Sequence, residues 1–313
     1  MLSLLRTTKP PVIPLLMACL FWLCVLGCES SDPESQGPSA PTILEAGRHK
    51  LFFDDSQLYY VYVSPKAIQN PEEARIIASI HGFSGRLNAQ EGRQVVEFYR
   101  NLWENVAAQE GWVVVAPQFD EFRFDDDYQR LNPFGTRADI RLNDICNRLG
   151  DMIPGLPTEK ILLFGFSGGG QFAHCYIAIQ PERIERAVVA SPGWYLWPDP
   201  TLPYPVGTDT RAVPTPLTPS FQALCDLPVL LVVGDADTVQ GDTTNRENSG
   251  IDLIALQGSG RRAKAENWVA AVRDLAERQD FSCRLIFDII PNTGHTISNA
   301  LFASSADFLR GQE

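Results

Sequence analysis

Residues 160–170 read KILLFGFSGGG, a short apolar run that leads directly into Gly165-Phe166-Ser167-Gly168-Gly169. The run resembles a buried strand, and the residues that follow the serine continue with a helical period. A serine between two such elements stands in a sharp, strained turn that exposes its hydroxyl. Small residues are needed two positions before and after it, because strand and helix pass close together there. The stretch therefore predicts a nucleophile elbow, with Ser167 as the nucleophile.

Two other interpretations of these glycines are weaker. An ordinary glycine-rich connection between a strand and a helix would need no serine at its centre. A phosphate-binding loop would have a lysine directly after the glycines, and here Gly170 is followed by Gln171. We therefore favour the nucleophile.

Apolar runs and helical patterns alternate on both sides of this elbow. The predicted strands cover residues 51–53, 58–63, 75–80, 112–116, 160–164, 186–190, 229–233 and 284–290. The predicted helices cover residues 94–108, 140–152, 169–179, 264–278 and 300–309. Strands that are apolar throughout are typical of a parallel sheet covered on both faces. The pattern predicts an α/β fold with a mostly parallel, doubly wound sheet and helices on both faces.

On these motifs, residues 50–310 resemble the α/β-hydrolase superfamily. They are similar in particular to secreted bacterial esterases near the polyhydroxybutyrate-depolymerase and feruloyl-esterase groups. The resemblance implies a triad in the chain order serine, acid, histidine and no cofactor or metal. It points to Asp237 as the acid, three residues after Gly234, with Asp235 as the alternative, and to His295 as the base.

The segment His81-Gly82-Phe83-Ser84-Gly85 resembles the oxyanion loop of this fold. The resemblance implies that the backbone N–H groups of Phe83 and Gly168 form the oxyanion hole. His81 itself is expected to be structural.

Three weaker signals accompany these motifs. Trp194, Tyr195 and Trp197 stand in the proline- and aromatic-rich excursion 191–221, where they either line a substrate pocket or pack the loop. The acidic run 125–127 lacks the spacing of a calcium loop and is expected to be solvated. The stretch QGSGRR at 257–262 resembles a segment that follows the acid in related hydrolases, and helix initiation is the role we expect for it.

The first residues of the chain are typical of an export signal. Arg6 and Lys9 precede an apolar stretch that ends at Gly27-Cys28, which resembles a lipoprotein cleavage site with lipidation on Cys28. Cys19 is a weaker lipid site, and an ordinary secretory signal or an uncleaved anchor is the alternative. We expect a signal peptide at 1–27, a flexible tether at 28–46 and a catalytic domain at 47–313, located in the periplasm or at the cell surface.

Four cysteines remain beyond the signal and the lipid site, and an exported protein can pair them. Cys225 and Cys283 each precede an apolar strand, so neighbouring strands would bring their thiols together. Cys146 and Cys175 are then left to form the second disulfide, although four cysteines allow three pairings.

The formal net charge of −12 argues against binding to nucleic acid, which needs clustered Lys and Arg. The sequence favours an exported carboxylic-ester hydrolase that acts on a small or polymeric ester, and we expect it to be a monomer. A serine peptidase of the same fold is the alternative within enzymes. A binding protein without catalytic activity is the alternative outside them.

Overall fold

A mixed sheet forms the centre of the fold in the computed structural model, which describes residues 42–54, 57–82, 89–124, 127–214, 216–238 and 251–312. Its strands are Gly47–Phe52 (β1), Leu58–Val63 (β2), Ile76–Ile80 (β3), Val113–Pro117 (β4), Ile161–Phe166 (β5), Ile184–Ala190 (β6), Val229–Gly234 (β7) and Leu285–Ile290 (β8). They are ordered β1-β2-β4-β3-β5-β6-β7-β8. The pairs β1–β2 and β2–β4 are antiparallel, and β3 to β8 run parallel.

The parallel strands place their carboxyl ends at one edge of the sheet. Ile80 is in register with Gly165, Phe166 with Ala190, and Gly234 with Ile290. The segments that follow β3, β5, β7 and β8 therefore emerge side by side. This is the edge where an open α/β sheet presents its ligand site.

Helices cover both faces of the sheet. They are Pro65–Gln69 (α1), Ala89–Glu110 (α2), Ala138–Met152 (α4), Gly168–Ile179 (α5), Phe221–Asp226 (α6), Leu253–Gln257 (α7), Arg261–Arg278 (α8) and Asn299–Arg310 (α9), with the single turn Glu121–Phe124 (α3) after β4. One apolar core includes residues of α4, α5 and α8, and a second includes residues of α2 and α9. Successive strand residues alternate between them: Ile76 and Ala78 belong to the first core and Ile77 to the second.

The doubly wound α/β fold predicted from the sequence is confirmed. The short helices α1, α3, α6 and α7 were not predicted, because four to six residues are too few to show a helical period. The tether was expected to reach residue 46, but Leu44 is buried and its N–H donates to the Met152 carbonyl at 2.9 Å. The chain is therefore already packed at this leucine.

The cysteines pair only in part as expected. Cys225 and Cys283 form a disulfide. The predicted pairing of Cys146 with Cys175 is wrong, since both are free and buried. The Cys175 sulfur lies 3.6 Å from His174 Nε2, and the Cys146 thiol is near Arg183 instead. The two thiols thus face different neighbours.

Residues 1–41, which include Cys28 and Cys19, lie outside the described residues. Within the described part of the chain, no helix has the length and apolar character that crossing a membrane requires.

Candidate active site

Ser167 stands between β5 and α5 in the conformation that the elbow motif predicts. Its φ is 57° and its ψ is −116°, a combination that L-residues rarely adopt. Its backbone N–H donates to the Ala190 carbonyl at 2.9 Å, which ties the turn to the neighbouring strand β6. The side chain is half-buried at the carboxyl edge of the sheet. A strained backbone held in this way presents the hydroxyl outward.

The glycines of the elbow are required by close packing. A Cβ on Gly165 would lie 2.0 Å from the Gly169 carbonyl oxygen, and one on Gly169 would lie 2.1 Å from the Ile80 carbonyl oxygen. Real side chains do not tolerate such distances. Small residues at both positions let α5 start directly against β5 and β3.

The three side chains predicted as a triad lie in hydrogen-bonding sequence. Ser167 Oγ is 2.9 Å from His295 Nε2, and His295 Nδ1 is 2.8 Å from Asp237 Oδ2. Because a carboxylate can only accept a hydrogen bond, the imidazole carries its proton on Nδ1 and donates it to Asp237. Its Nε2 is then left to accept a hydrogen bond from the serine hydroxyl. This arrangement suits proton removal from Ser167 during nucleophilic attack.

Asp237 and Asp235 have different environments. Asp237 is fully buried and points to His295. Asp235 accepts at Oδ1 from the Thr293 N–H at 3.0 Å, and backbone hydrogen bonds lower the pKa of its carboxyl, those from Asn292 and Thr293 first. Asp235 therefore connects the turn after β7 to the turn after β8, and Asp237 occupies the position of the acid.

Phe166 contacts the histidine from the side of the elbow. Its ring stacks on the His295 ring with centroids 4.9 Å apart and an interplanar angle of 27°. Sequence reasoning missed this contact. The sequence contained one indication of it, because Phe166 directly precedes the nucleophile and a large ring there lies next to the base.

No protein-family model matches the chain, and no curated protein matches it either. Solved structures do match. Poly(aspartic acid) hydrolase-1 from Sphingomonas sp. KT-1 gives a TM-score of 0.64 at 23% identity, over 84% of this chain and 98% of its own. A poly(3-hydroxybutyrate) depolymerase from Bordetella parapertussis gives 0.68 at 20% identity, over 85% and 90%. An acetyl xylan esterase from Aspergillus awamori gives 0.52 at 12% identity, over 86% and 100%.

The chain has the α/β-hydrolase fold. At these identities the likeness to the three proteins is one of fold. The strand order, with β3 between β4 and β5, and the strained serine after β5 agree with it.

The loop after β3, which was predicted to form part of the oxyanion hole, begins in a fixed conformation. His81 Nε2 accepts from the Phe119 N–H at 3.1 Å, so its Nδ1 carries the proton and donates to the Gly82 carbonyl at 2.8 Å. Burial lowers the pKa of His81. The Gly82 N–H donates to the Tyr99 hydroxyl at 3.2 Å, and the Tyr128 hydroxyl donates to the His81 carbonyl at 3.0 Å. His81 therefore holds the backbone, as expected.

Of the two predicted oxyanion donors, Gly168 is the first residue of α5 and follows the nucleophile directly. Phe83 lies outside the described residues.

The aromatic residues after β6 were expected either to line a substrate pocket or to pack the loop, and two of them pack it. Trp194 and Tyr195 are 1% and 0% exposed, and the Tyr195 ring stacks on Trp268 with centroids 5.0 Å apart. The segment after β6 packs against the core because the Leu196 N–H donates to the buried His174 Nε2 at 2.7 Å. Trp197 is half-buried and packs against the same core.

No group of three or more His, Cys, Asp or Glu side chains in the described part of the chain is arranged to hold a metal ion. Residues 125 and 126 of the acidic run lie outside that part.

Proposed function

We propose that this protein is a serine hydrolase that cleaves carboxylic esters through an acyl-serine intermediate. The observation that carries the proposal is the hydrogen-bonded series Ser167–His295–Asp237 at the exposed edge of the sheet. The choice of an ester is supported by two similar structures, which are named for a polyester and for acetylated xylan.

In the proposed reaction, Ser167 Oγ attacks the ester carbonyl carbon while His295 Nε2 takes the hydroxyl proton. Backbone N–H groups, with Gly168 as one donor, hold the negative charge that develops on the carbonyl oxygen. His295 then returns the proton to the departing alcohol, which leaves an acyl group on Ser167. Water attacks this acyl group, again with His295 as base, and releases the acid.

The test is hydrolysis of a matched panel by the full chain: p-nitrophenyl acetate, p-nitrophenyl octanoate, methyl ferulate and an aminoacyl p-nitroanilide. We expect turnover of at least one ester and a loss of at least about 1,000-fold in kcat in Ser167→Ala, because the attacking atom is removed.

Ser191→Ala is a matched control. Ser191 follows the adjacent strand β6, has a φ of 45° and donates its N–H to the Val232 carbonyl at 2.9 Å. This variant makes the same chemical change in a similar backbone, and we expect it to retain activity. Turnover of the anilide alone would indicate a peptidase. No turnover at all, or equal turnover by Ser167→Ala, would contradict the proposal and favour a binding protein.

We further propose that the protein is exported and held at a membrane by a lipid on Cys28, and that it acts as a monomer. The apolar stretch before Gly27-Cys28 and the polar residues after it support the export and the lipid.

A further inference from the structure

The stretch QGSGRR at 257–262 has no part in the mechanism above, yet it folds against the acid. Gly260, with a φ of 79°, lies so close that a Cβ would be 2.4 Å from the Thr238 carbonyl oxygen. The Arg262 N–H donates to the Asp237 carbonyl at 3.0 Å. Helix α8 therefore begins directly on the turn that carries Asp237.

The first residue of α8, Arg261, places a charge on this acid. Arg261 Nη1 lies 3.6 Å from Asp237 Oδ1, while Oδ2 of the same carboxylate contacts His295. The Arg261 and Asp237 side chains are 10% and 0% exposed, so little water screens the pair. The carboxylate thus lies between an imidazole and a guanidinium.

Among the described residues of this region, the other polar side chains either stay neutral or contact other groups. Tyr195 is buried beside Asp237 and Arg261, and burial raises the pKa of its hydroxyl well above the usual value, so it stays neutral. Arg262 pairs with Glu266 at 3.0 Å at the surface, and its Nη1 lies 3.4 Å from the Asp235 carbonyl. Lys264 donates to the Gly193 carbonyl at 2.7 Å.

We propose that Arg261 is a positioning residue of the triad, which balances the charge of Asp237 so that His295 stays an unprotonated base down to mildly acidic pH. This inference rests on the proposed function, because only a general base needs this property. With Arg261 present, the group Asp237–His295–Arg261 has no net charge when the imidazole is neutral. Without Arg261, the remaining pair carries a net negative charge on the buried Asp237 carboxylate, and the more exposed His295 imidazole then binds a proton at higher pH.

The test compares Arg261→Gln and Arg261→Lys with the wild-type full chain. The first readout is the NMR titration of the His295 imidazole, identified as the signal missing in His295→Asn. The second is the pH dependence of kcat/KM on whichever ester the wild type hydrolyses. Arg278→Gln is the charge-matched control, since Arg278 is on the same helix and pairs with Asp274 in solvent.

In Arg261→Gln we expect both the titration midpoint and the acid limb of the profile to move up by about one pH unit. Arg261→Lys and Arg278→Gln should stay close to wild type. A lower kcat at every pH with an unmoved acid limb and titration would overturn the proposal, because a purely structural residue gives that result.

Failure of the proposed function and misfolding of a variant can both be distinguished from failure of the proposal on Arg261. If the wild type hydrolyses no ester, the proposed function fails, while the NMR titration still decides the role of Arg261. If Arg261→Gln does not fold, the double variant Arg261→Gln/Asp237→Asn should fold, because neither charge is left buried alone. Failure of the double variant to fold would also overturn the proposal.

Discussion

At the scale of single residues, the two aspartates after β7 differ in what they contact, and this leads to opposite expectations. Asp237→Asn removes the charge that orients the His295 ring and can leave the wrong tautomer facing Ser167. We expect kcat to fall by about 1,000- to 10,000-fold. The measurement is kcat on the best ester of the panel.

Asp235→Asn is the companion variant. It weakens the hydrogen bond from the Thr293 N–H, and we expect a small loss in the free energy of unfolding with kcat within a few-fold of wild type. A larger loss of kcat in Asp235→Asn than in Asp237→Asn would reverse the assignment of the acid.

The elbow motif indicated Ser167, and the resemblance to α/β-hydrolases pointed to Asp237 and His295, because each of the three follows an apolar strand whose end is visible in the pattern. Sequence reasoning left Asp235 open beside Asp237, since both follow the same strand and only side-chain direction separates them. It missed Phe166 and Arg261 because their contacts join segments that are far apart along the chain. It left the role of Trp194 open between pocket lining and packing, because an aromatic residue after a strand can face either the edge or the core.

At the scale of elements, the parallel strands were predicted well because they are mainly apolar on both faces. The antiparallel edge strand predicted at 51–53 is observed as Gly47–Phe52, because its alternating polar residues hide most of it. The predicted strand 229–233 is observed as Val229–Gly234, and 284–290 as Leu285–Ile290. Helix α2 begins five residues before the prediction of 94–108, at Ala89, because its first turns contain few apolar residues to mark a period. The path of segment 191–221 was not predictable, since contacts with α5 and α8 determine it.

His174 connects α5 to that segment and makes the contact sensitive to pH. Its Nε2 accepts from the Leu196 N–H, its Nδ1 donates to the Gly170 carbonyl at 3.1 Å, and burial lowers its pKa from 6.5 to about 4. The unfolded chain therefore binds a proton at this residue before the folded chain does, and stability falls as the pH drops from about 6.5 to about 4. The contribution is on the order of 3 kcal/mol over that range.

Urea unfolding of wild type and His174→Gln between pH 7.5 and pH 4.5 measures this contribution. We expect the variant to be less stable at pH 7.5 by about 1–3 kcal/mol, because the buried Leu196 amide loses its acceptor. The variant should then lose less stability on acidification than the wild type. Equal slopes for the two proteins would show that His174 does not cause the effect.

At the scale of the whole molecule, we expect the residues before the packed part of the chain to carry a lipid on Cys28. In a bacterial host that processes lipoproteins, the full chain should incorporate labelled palmitate. Cys28→Ser should abolish the label because it removes the acceptor thiol. Cys19→Ser is the control and should keep the label; the reverse pattern would assign the lipid to Cys19.

The disulfide between Cys225 and Cys283 closes a covalent ring in the backbone that contains β7, Asp237 and helix α8. One peptide bond broken anywhere inside this ring separates no fragment, because each of the two parts still contains one cysteine of the disulfide. A nicked molecule keeps its full mass in electrophoresis without reductant and divides into two bands once thiol is added. For the stretch of chain that carries the acid, intact mass is therefore no sign of an intact backbone.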